Sequence, residues 1–414
     1  MTRPSSERLP VIVIGNASTA LSVQRLTARL GYPCFAACAA DSWAARTRYY
    51  RPLPSTRLGR RWRGQLGKAG WAHLRALDFE RAILIPTADD AALWLSQLPA
   101  DIADRYHTCV AGTEALRDLQ DKRRFARRVT ALGISHPESI PVSNGVDLYQ
   151  LAFDGKADYF FKPHDSQSFW SKHGFKALRF DNKEAASRAW EQYDLATTGV
   201  IVQEYVSGGP DQHYFIDGFI DASGKVRAKL ARRRVRMHPL DFGNSSCCKS
   251  VAFDEVESAW DGLAKLLSAV SYRGIFSAEF KRDARTGVFK ILEVNTRPWI
   301  YVQFAADCDV NMIDLYIRDA QKAPLGEFLT YRTERQCVNV WDDFNAIRSM
   351  STHTRPGIGA VLKCWLGAFK MLFDARDVRP SLSFLCMLVT RTLMKITGTR
   401  SSAMPSPGEK APSA

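Results

Sequence analysis

The sequence predicts a chain of mixed α/β and α+β class, with a doubly wound unit at the N-terminus and antiparallel strands beyond it. Three observations predict this class. Residues 11–15 form a buried apolar strand that ends in a glycine turn, and a helical pattern at 20–30 follows. Short strand patterns alternate with glycine turns over 200–237. Two apolar runs, 275–280 and 288–294, flank a polar turn and predict a β-hairpin.

The length and composition are those of an ordinary globular protein. A chain of 414 residues has room for two or three domains, and its content is 46% apolar and 24% charged. The first ten residues are polar and contain no signal-peptide core. No run approaches the roughly 20 apolar residues of a spanning helix. We therefore expect a cytoplasmic protein.

The cysteine pattern and the net charge restrict the kinds of site and partner that the sequence supports. Nine scattered cysteines without a Cys-x-x-Cys motif argue against a disulfide framework or a zinc site and favour small core residues. The net charge is +14, and nine Lys or Arg without any acid lie between Arg46 and Arg75. This excess favours anionic partners, or it is a solvated basic face. No dedicated nucleic-acid module is expected, because aromatic RNA-binding and zinc-finger signatures are missing.

The predicted hairpin carries a candidate metal site. Side chains alternate along a strand, so Glu293 and Asn295 share one face, and a turn near residue 285 brings Glu279 beside them. Two carboxylates and an amide oxygen suit Mg²⁺ that bridges nucleotide phosphates. Arg297 continues the alternation and adds a permanent cation. The alternative is a surface hairpin whose charges are solvated.

The N-terminal unit offers candidate substrate contacts. Further strands are predicted at 34–39 and 82–86. Ligands in doubly wound sheets bind at the carboxyl ends of strands, which are the positions of Asn16, Ser18 and Asp89. Capping and turn roles explain these residues equally well. A single glycine stands where a dinucleotide fingerprint requires three, which argues against NAD binding.

The middle of the chain contains several basic motifs. A helical pattern over 113–133 includes Asp121-Lys-Arg-Arg124, and a strand at 157–162 ends in Lys162 immediately before proline. The polar stretch 164–174 predicts a phosphate-contacting loop with Lys172. The strand at 225–237 carries five cations between residues 229 and 236, which predicts a phosphate-facing surface or an edge strand protected by charge.

In this order, the motifs resemble the ATP-grasp superfamily over roughly residues 10–325. The resemblance rests on Tyr-Phe-Phe-Lys162-Pro, Gln-Glu204-Tyr-Val206, Glu279 and Glu293-Val-Asn295-Thr-Arg297. It implies a Rossmann-like N-terminal domain followed by a two-lobed ATP-grasp fold, and a mainly helical C-terminal extension lies outside it. The implied divisions are a first domain at 1–112, a linker helix and lid at 113–199, a metal-bearing subdomain at 200–326, and the extension with a disordered tail at 327–414.

The resemblance also implies the cofactors and the site residues. ATP and Mg²⁺, with Mn²⁺ as an alternative, are the expected cofactors. Lys122 and Lys162 are expected to bind phosphate, and Lys162 is also expected to contact the adenine. Glu204, Tyr205 and Val206 are expected to form the adenine hinge, and Asp211 is expected to contact the ribose. The expected metal ligands are Glu279, Glu293 and Asn295, and the residues expected to stabilise phosphoryl charge are Arg297, Arg234 and Arg236.

The implied activity is that of a carboxylate–amine ligase of the carbamoyl-phosphate-synthase-like and D-aspartate-ligase-like branch. Phosphorylation by ATP converts a carboxylate into an acyl phosphate that an amine attacks, and this chemistry depends on positioning and charge neutralisation. His164 and His173 are candidates for proton transfer, although solvated loop histidines are the simpler interpretation. The alternatives are a kinase or carboxylase that forms no amide, and a nucleotide-binding sensor. The intact metal-ligand set argues against the sensor.

The C-terminal extension has two apolar, helix-like segments at 358–373 and 381–397. Each has basic residues, which are Lys363, Lys370, Arg391 and Lys395. These segments either lie on an anionic membrane surface, as a peripheral attachment to the inner membrane face, or pack against the core or a second subunit in a homodimer. The Pro/Ser-rich stretch 401–414 predicts a disordered tail.

Overall fold

The structure is a computed structural model that describes most of the chain. The described residues are 8–56, 61–142, 158–163, 169, 172–173, 177–180, 182–240 and 242–397. Most of the predicted phosphate loop at 164–174 and the predicted tail at 401–414 lie outside the described residues.

The N-terminal unit is a four-stranded parallel sheet with helices on its faces, in the order β2-β1-β3-β4. Its elements are β1 Val11–Ile14, α1 Ser18–Arg29, β2 Cys34–Ala37, α2 Gly67–Ala76, β3 Ala82–Pro86, α3 Asp89–Leu95, α4 Ala100–Ala103 and β4 Tyr106–His107. The turn after β1 requires glycine, because Gly15 has φ +142° and a Cβ there would lie 2.1 Å from Thr87 Oγ1. This turn brings α1 back across the sheet.

Two helices replace the single helix predicted over 113–133. They are α5 Thr113–Gln120 and α6 Lys122–Ala131. The chain turns at Asp121, which has extended backbone geometry, and its carboxylate accepts hydrogen bonds from the backbone N–H groups of Arg123 and Arg124. Asp121 is therefore the N-cap of α6, and this cap places Lys122 on the first turn of a new helix.

A second sheet is antiparallel, in the order β5-β8-β6-β7, and we call it the lid sheet because it lies mainly in the segment expected to form the lid. Its elements are β5 Ser139–Val142, β6 Asp158–Pro163, β7 Leu178–Phe180, α7 Lys183–Gln192, α8 Leu195–Thr198 and β8 Val200–Tyr205. One face packs Phe161 and Val202 against Trp190 of α7. The opposite face carries Lys162 and Gln203. The predicted boundary at 199 falls before β8, but β8 pairs within the lid, so this sheet ends at Tyr205.

The central sheet has seven strands in the order β13-β12-β9-β10-β11-β14-β15. Its strands and the helices between them are β9 His213–Ile220, β10 Val226–His238, β11 Asn244–Val251, α9 Glu257–Ala269, β12 Gly274–Arg282, β13 Phe289–Asn295, α10 Val302–Asp307, α11 Met312–Ala320, β14 Gln336–Val338 and β15 Phe369–Lys370. The predicted hairpin is confirmed as the antiparallel pair β12–β13. Buried residues of α9 cover one face of this sheet, and those of α10 and α11 cover the other.

The C-terminal extension contributes three helices and the last two strands of the central sheet. The helices are α12 Val340–Ser349, α13 Ile358–Gly367 and α14 Arg379–Thr397. The segment before α14 is anchored on α1 of the N-terminal unit, where Arg25 Nε lies 2.9 Å from Asp377 Oδ2 and both side chains are fully buried. Arg29 pairs with Asp374 beside them.

The cysteines occupy the positions expected of core residues. Seven of the nine are buried, whereas Cys364 is half-buried and Cys386 is exposed. The neighbours Cys247 and Cys248 lie in β11 inside the sheet, and Cys247 Sγ is 3.8 Å from Cys364 Sγ. Burial raises the pKa of Cys34 to about 12, so this thiol stays protonated at neutral pH.

Candidate functional site

A cavity of about 840 Å³ opens between the lid sheet, helix α6 and strand β13. Four of the residues expected to bind ATP or metal line it, namely Lys122, Lys162, Glu293 and Asn295. Asp89, which follows β3 in the N-terminal unit, also lines the cavity. The fold therefore brings cations from one side and oxygen ligands from the other to the same space.

The two lysines reach the cavity from different elements. Lys162 lies near the end of β6 and donates from Nζ to Gln203 Oε1 at 3.3 Å. Lys122 lies on the first turn of α6, and its Nζ is 3.5 Å from the carbonyl oxygen of Pro163. These contacts orient the two ammonium groups beside the cavity, and an ammonium group is a suitable ligand for anionic phosphate groups.

The predicted oxygen ligands lie side by side on the hairpin. Glu279 and Glu293 are directly opposite in the β12–β13 register. Asn295 is two residues beyond Glu293, and its Nδ2 donates to Glu293 Oε1 at 3.3 Å. Neighbouring carboxylates repel each other unless a proton or a cation lies between them.

The pKa values of the two carboxylates separate accordingly. Desolvation by the surrounding protein raises the pKa of Glu293, and the negative charges of Glu279 and Asp89 raise it further, whereas the positive charge of Lys162 lowers it. The protein surroundings also act to raise the pKa of Glu279, but the charge of Arg234 and a hydrogen bond from His213 outweigh this and lower it to about 2. Glu279 is therefore ionised at neutral pH, and Glu293 is the carboxylate whose ionisation a cation would assist.

This donor set fits a divalent cation that also binds phosphate. Carboxylate and amide oxygens are hard ligands of the kind Mg²⁺ selects, and Mg²⁺ keeps several sites for water or substrate phosphate. In the described part of the chain, no group of three or more His, Cys, Asp and Glu residues is arranged to hold a metal. Glu279, Glu293 and Asn295 would thus hold the cation together with phosphate oxygens.

The arginines of β10 alternate between different environments. Arg234 donates to Glu279 Oε1 at 3.1 Å and to Ser245 Oγ at 2.9 Å. Arg232 is fully buried and pairs with the buried Asp217, with Nε 2.7 Å from Oδ2. Arg233 projects the other way. Arg234 is buried as well, with 4% exposure against 2% for Arg232, and neither arginine lines the cavity. The phosphate-facing surface that the sequence suggested for this strand is therefore not formed by these two side chains.

Arg236 and Arg297 have carboxylate partners of their own. Arg236 forms a two-point ion pair with the fully buried Asp343 of α12, and both of its N–O distances are 2.8 Å. Arg297 donates to Asp89 Oδ2 at 3.1 Å and lies 3.4 Å from Asn295 Oδ1. Arg297 thus joins the end of β13 to the N-terminal unit, whereas Arg236 joins the central sheet to the C-terminal extension.

The residues predicted to hold adenine and ribose do not line the cavity. Glu204 forms an ion pair with Lys290, whose Nζ lies 2.5 Å from Oε1, and Val206 is buried. The Tyr205 ring lies beneath two cations, the guanidinium of Arg179 and the ammonium of Lys281, each 4.2 Å from its centroid. These contacts make the hinge a well-packed junction between the lid and the central sheet.

Asp211, the expected ribose contact, is about half exposed and accepts a hydrogen bond from Arg233 at 3.0 Å. It lies on a short 3₁₀ turn before β9. A ribose would have to compete with Arg233 for this carboxylate.

Sequence reasoning missed two residues of the site. Gln203 contacts Lys162. Alternation along β8 places Gln203 on the same face as Lys162, toward the cavity, but only once the pairing of β6 with β8 is known, and the sequence does not give this pairing. His213 hydrogen-bonds Glu279 through Nδ1 at 3.0 Å. Burial lowers the pKa of His213 to about 4, so the ring is neutral at pH 7. Nothing in the sequence pattern indicates this contact, because it depends on the register between β9 and β12.

No protein-family model and no curated protein sequence matches the chain. Solved structures do match. The N5-carboxyaminoimidazole synthetase of Staphylococcus aureus aligns with a TM-score of 0.56 at 12% identity, over 79% of this chain and 80% of that one. The N5-carboxyaminoimidazole ribonucleotide synthetase of Thermus thermophilus aligns with a TM-score of 0.56 at 15% identity, over 79% and 81%.

Part of a larger enzyme has a similar fold. Pyruvate carboxylase of Rhizobium etli aligns with a TM-score of 0.54 at 15% identity, over 79% of this chain and 30% of that one. At these identities the likeness is one of fold. The chain has the fold of these synthetases, and the ATP-grasp fold expected from its motifs is thereby confirmed.

Proposed function

We propose that this protein is an Mg²⁺–ATP-dependent ligase, which activates a carboxylate as an acyl phosphate for attack by an amine. The observation that carries the proposal is the convergence of Lys122 and Lys162 with Glu293 and Asn295 on one cavity. The fold supports it, because solved structures with this fold include a carboxyaminoimidazole ribonucleotide synthase complexed with ATP.

The proposed roles follow from position. Lys162 and Lys122 bind the phosphate chain from the lid and from α6. Glu279, Glu293 and Asn295 hold Mg²⁺, which when bound neutralises charge on the phosphate oxygens. Arg234 keeps Glu279 ionised and oriented, and Arg297 holds Asn295 against the N-terminal unit. The substrate carboxylate would enter from the side of Asp89 and Arg297, where the N-terminal unit meets β13.

In this proposal the chain's own residues position the reactants and neutralise charge. The bound carboxylate oxygen attacks the terminal phosphorus of ATP, and ADP leaves. The amine then attacks the acyl carbon, and phosphate leaves with the oxygen that came from the carboxylate. Fixed cations around the transferring group stabilise its charge without a side-chain nucleophile. The alternative is a kinase or carboxylase that phosphorylates a small molecule without amide formation.

The test is turnover of Mg·ATP against a matrix of carboxylic acids and amines, with mass detection of products. Bicarbonate should be included among the acids, because it separates a carboxylase from a ligase. A ligase releases ADP and phosphate only when an acid and an amine are both present. With an ¹⁸O-labelled carboxylate, one ¹⁸O should appear in the released phosphate.

Two results would contradict the proposal. A phosphorylated product that accumulates equally well without any amine identifies a kinase, and ATP turnover that needs only bicarbonate and an acceptor other than an amine identifies a carboxylase. The control for metal dependence is the same assay after chelation and after addition of Mn²⁺.

A further inference from the structure

Apolar side chains are exposed in one part of the molecule. Among the described residues, fourteen large apolar side chains are exposed, and eleven of them lie between Val340 and Val389. In α13, Ile358, Leu362 and Leu366 are 80%, 51% and 80% exposed, and no residue of this helix is buried. Most soluble proteins scatter such side chains singly, so this concentration indicates a surface that contacts something apolar.

The spacing of these residues gives each helix an apolar face. Residues four apart along a helix lie on the same side, and Ile358, Leu362 and Leu366 have this spacing. In α14, Leu382, Leu385 and Val389 follow the same rule with steps of three and four residues, and all three are more than half exposed. We call these six residues the apolar surface.

The charge around the apolar surface has one sign. Between residues 344 and 408 the sequence contains nine Lys or Arg and only two acids, Asp374 and Asp377. Both acids are paired with arginines of α1, and their side chains are at most 8% exposed. The exposed charges next to the apolar surface, such as Lys363 and Arg379, are therefore cations.

The extension is held on the protein by its other side. Asp377 accepts hydrogen bonds from Arg25 Nε at 2.9 Å, from Thr47 Oγ1 at 2.6 Å and from the backbone N–H of Arg48 at 2.8 Å. In α12 and α13, Asp343 accepts from Arg236 and from Trp365 Nε1. Packing on the core and an apolar surface facing outward thus coexist, because different sides of the extension supply them.

We infer that the apolar surface is a docking site for an anionic phospholipid bilayer, on which α13 and α14 lie in the plane of the interface. Amphipathic helices with apolar residues on one side and basic residues beside them bind such interfaces. The described part of the chain has no helix that is both long and apolar enough to cross a membrane, so attachment is at the surface. A second copy of this chain is disfavoured as the occupant, because it would bring two cationic surfaces together.

The test is co-sedimentation of the full chain with vesicles of phosphatidylcholine alone and of phosphatidylcholine with about one third phosphatidylglycerol. The wild type should bind the anionic vesicles and should release as salt is raised. The double variant Leu362→Glu/Leu385→Glu should lose at least tenfold in binding. Lys363→Gln/Arg379→Gln should lose about 25-fold, since each of the two cations contributes about fivefold near an anionic surface. The matched control is Leu240→Glu/Leu329→Glu, which places the same two charges at exposed leucines outside this surface.

Each remaining outcome contradicts the inference. Binding that persists in the Leu362→Glu/Leu385→Glu variant would assign attachment to another basic region, such as 46–75. Equal binding to neutral vesicles would remove the role of charge. Concentration-dependent dimers of the wild type, lost in that variant and accompanied by no vesicle binding, would make the surface an interface between copies. Unchanged thermal unfolding of the variants verifies that the exposed substitutions leave the fold intact, and none of these readouts depends on catalysis.

Discussion

At the scale of single residues, the two carboxylates of the hairpin have different tasks. Glu279 is held ionised by Arg234 and His213, whereas Glu293 faces the cavity with a raised pKa. Of the two carboxylates, Glu293 is therefore the one whose ionisation depends more on what occupies the cavity.

We predict that Glu293→Gln lowers turnover by a factor on the order of 10² or more, because a charged ligand of the proposed Mg²⁺, which neutralises the reacting phosphate, is removed. Without metal and nucleotide, its thermal unfolding midpoint should equal or slightly exceed that of the wild type, because a charge facing Glu279 is removed. Steady-state ADP release and thermal unfolding measure the two effects. Glu257→Gln, at the start of α9, is the control; near-normal activity of Glu293→Gln would contradict the metal assignment.

Lys162→Met should raise the KM for ATP by about tenfold to one hundredfold while the fold is kept, because a charged hydrogen bond to phosphate contributes roughly 1.5–3 kcal/mol. The measurement is turnover as a function of ATP concentration. Lys68→Met, which changes an exposed lysine of α2, should leave the KM unchanged. An equal effect in both variants would mean that the net charge of the protein, and not the position of Lys162, determines ATP binding.

These residues also show how far sequence reasoning reaches. The alternation along one strand predicted that Glu293 and Asn295 share a face, and a short hairpin then placed Glu279 beside them. Both inferences concern residues that lie within about 20 positions of one another in the sequence. His213 is 66 residues from Glu279, and its contact depends on how β9 pairs with β12, which side-chain patterns do not encode.

At the scale of elements, the break between α5 and α6 positions Lys122. The carboxylate of Asp118 on α5 accepts from Arg124 Nε at 2.8 Å and from Arg128 Nε at 3.0 Å, and both arginines belong to α6. The hydrophobic period over 113–133 continues through the break, so it predicted one helix. What divides the helix is the capping carboxylate of Asp121, a local competitor of the helical hydrogen bond.

We predict that Asp118→Asn lowers the free energy of unfolding by about 1 kcal/mol at neutral pH, because the arginines are partly exposed and solvent weakens the pairs. Burial raises the pKa of Asp118, but Arg128 and Arg124 outweigh it and hold the pKa below the usual value. The folded pKa is thus below the unfolded one, so this stabilisation is present above the unfolded pKa and is lost as the pH falls through the folded pKa.

Urea unfolding of the wild type and of Asp118→Asn between pH 3 and 7 measures this effect. The two stabilities should converge at the acid end. Asp78→Asn, at an exposed position, is the control and should differ little from the wild type at any pH. A difference for Asp118→Asn that is constant with pH would indicate a loss of packing in place of a loss of charge pairing.

At the scale of the whole molecule, one buried ion pair joins the two ends of the chain. Arg25 and Asp377 are 352 residues apart in the sequence, and both side chains are fully buried. The sequence predicted α1 and an apolar segment at 381–397 separately, since each has its own periodicity. Periodicity within a segment does not show which other segment it contacts. The sequence therefore left two alternatives open for the extension, packing on the core and contact with a membrane.

We predict that Asp377→Asn lowers the free energy of unfolding by about 3–5 kcal/mol, because Arg25 is then a buried charge without its partner. Limited proteolysis should cleave the extension faster in this variant. Asp314→Asn, which removes the partner of the exposed Arg318, should cost only about 0.5 kcal/mol. Equal small effects in both variants, without faster proteolysis, would show that the extension is held by its apolar contacts alone.

The same pair has a consequence for the order in which the protein matures during synthesis. The N-terminal unit emerges from the ribosome first, yet one of its helices carries an arginine whose carboxylate partner is made 352 residues later. Until Asp377 emerges, Arg25 keeps contact with water, so the side of α1 that carries it is left without the segment that covers it in the finished chain. A chain cut short before residue 377 should therefore expose its first helix to proteases, whereas the finished chain should protect it.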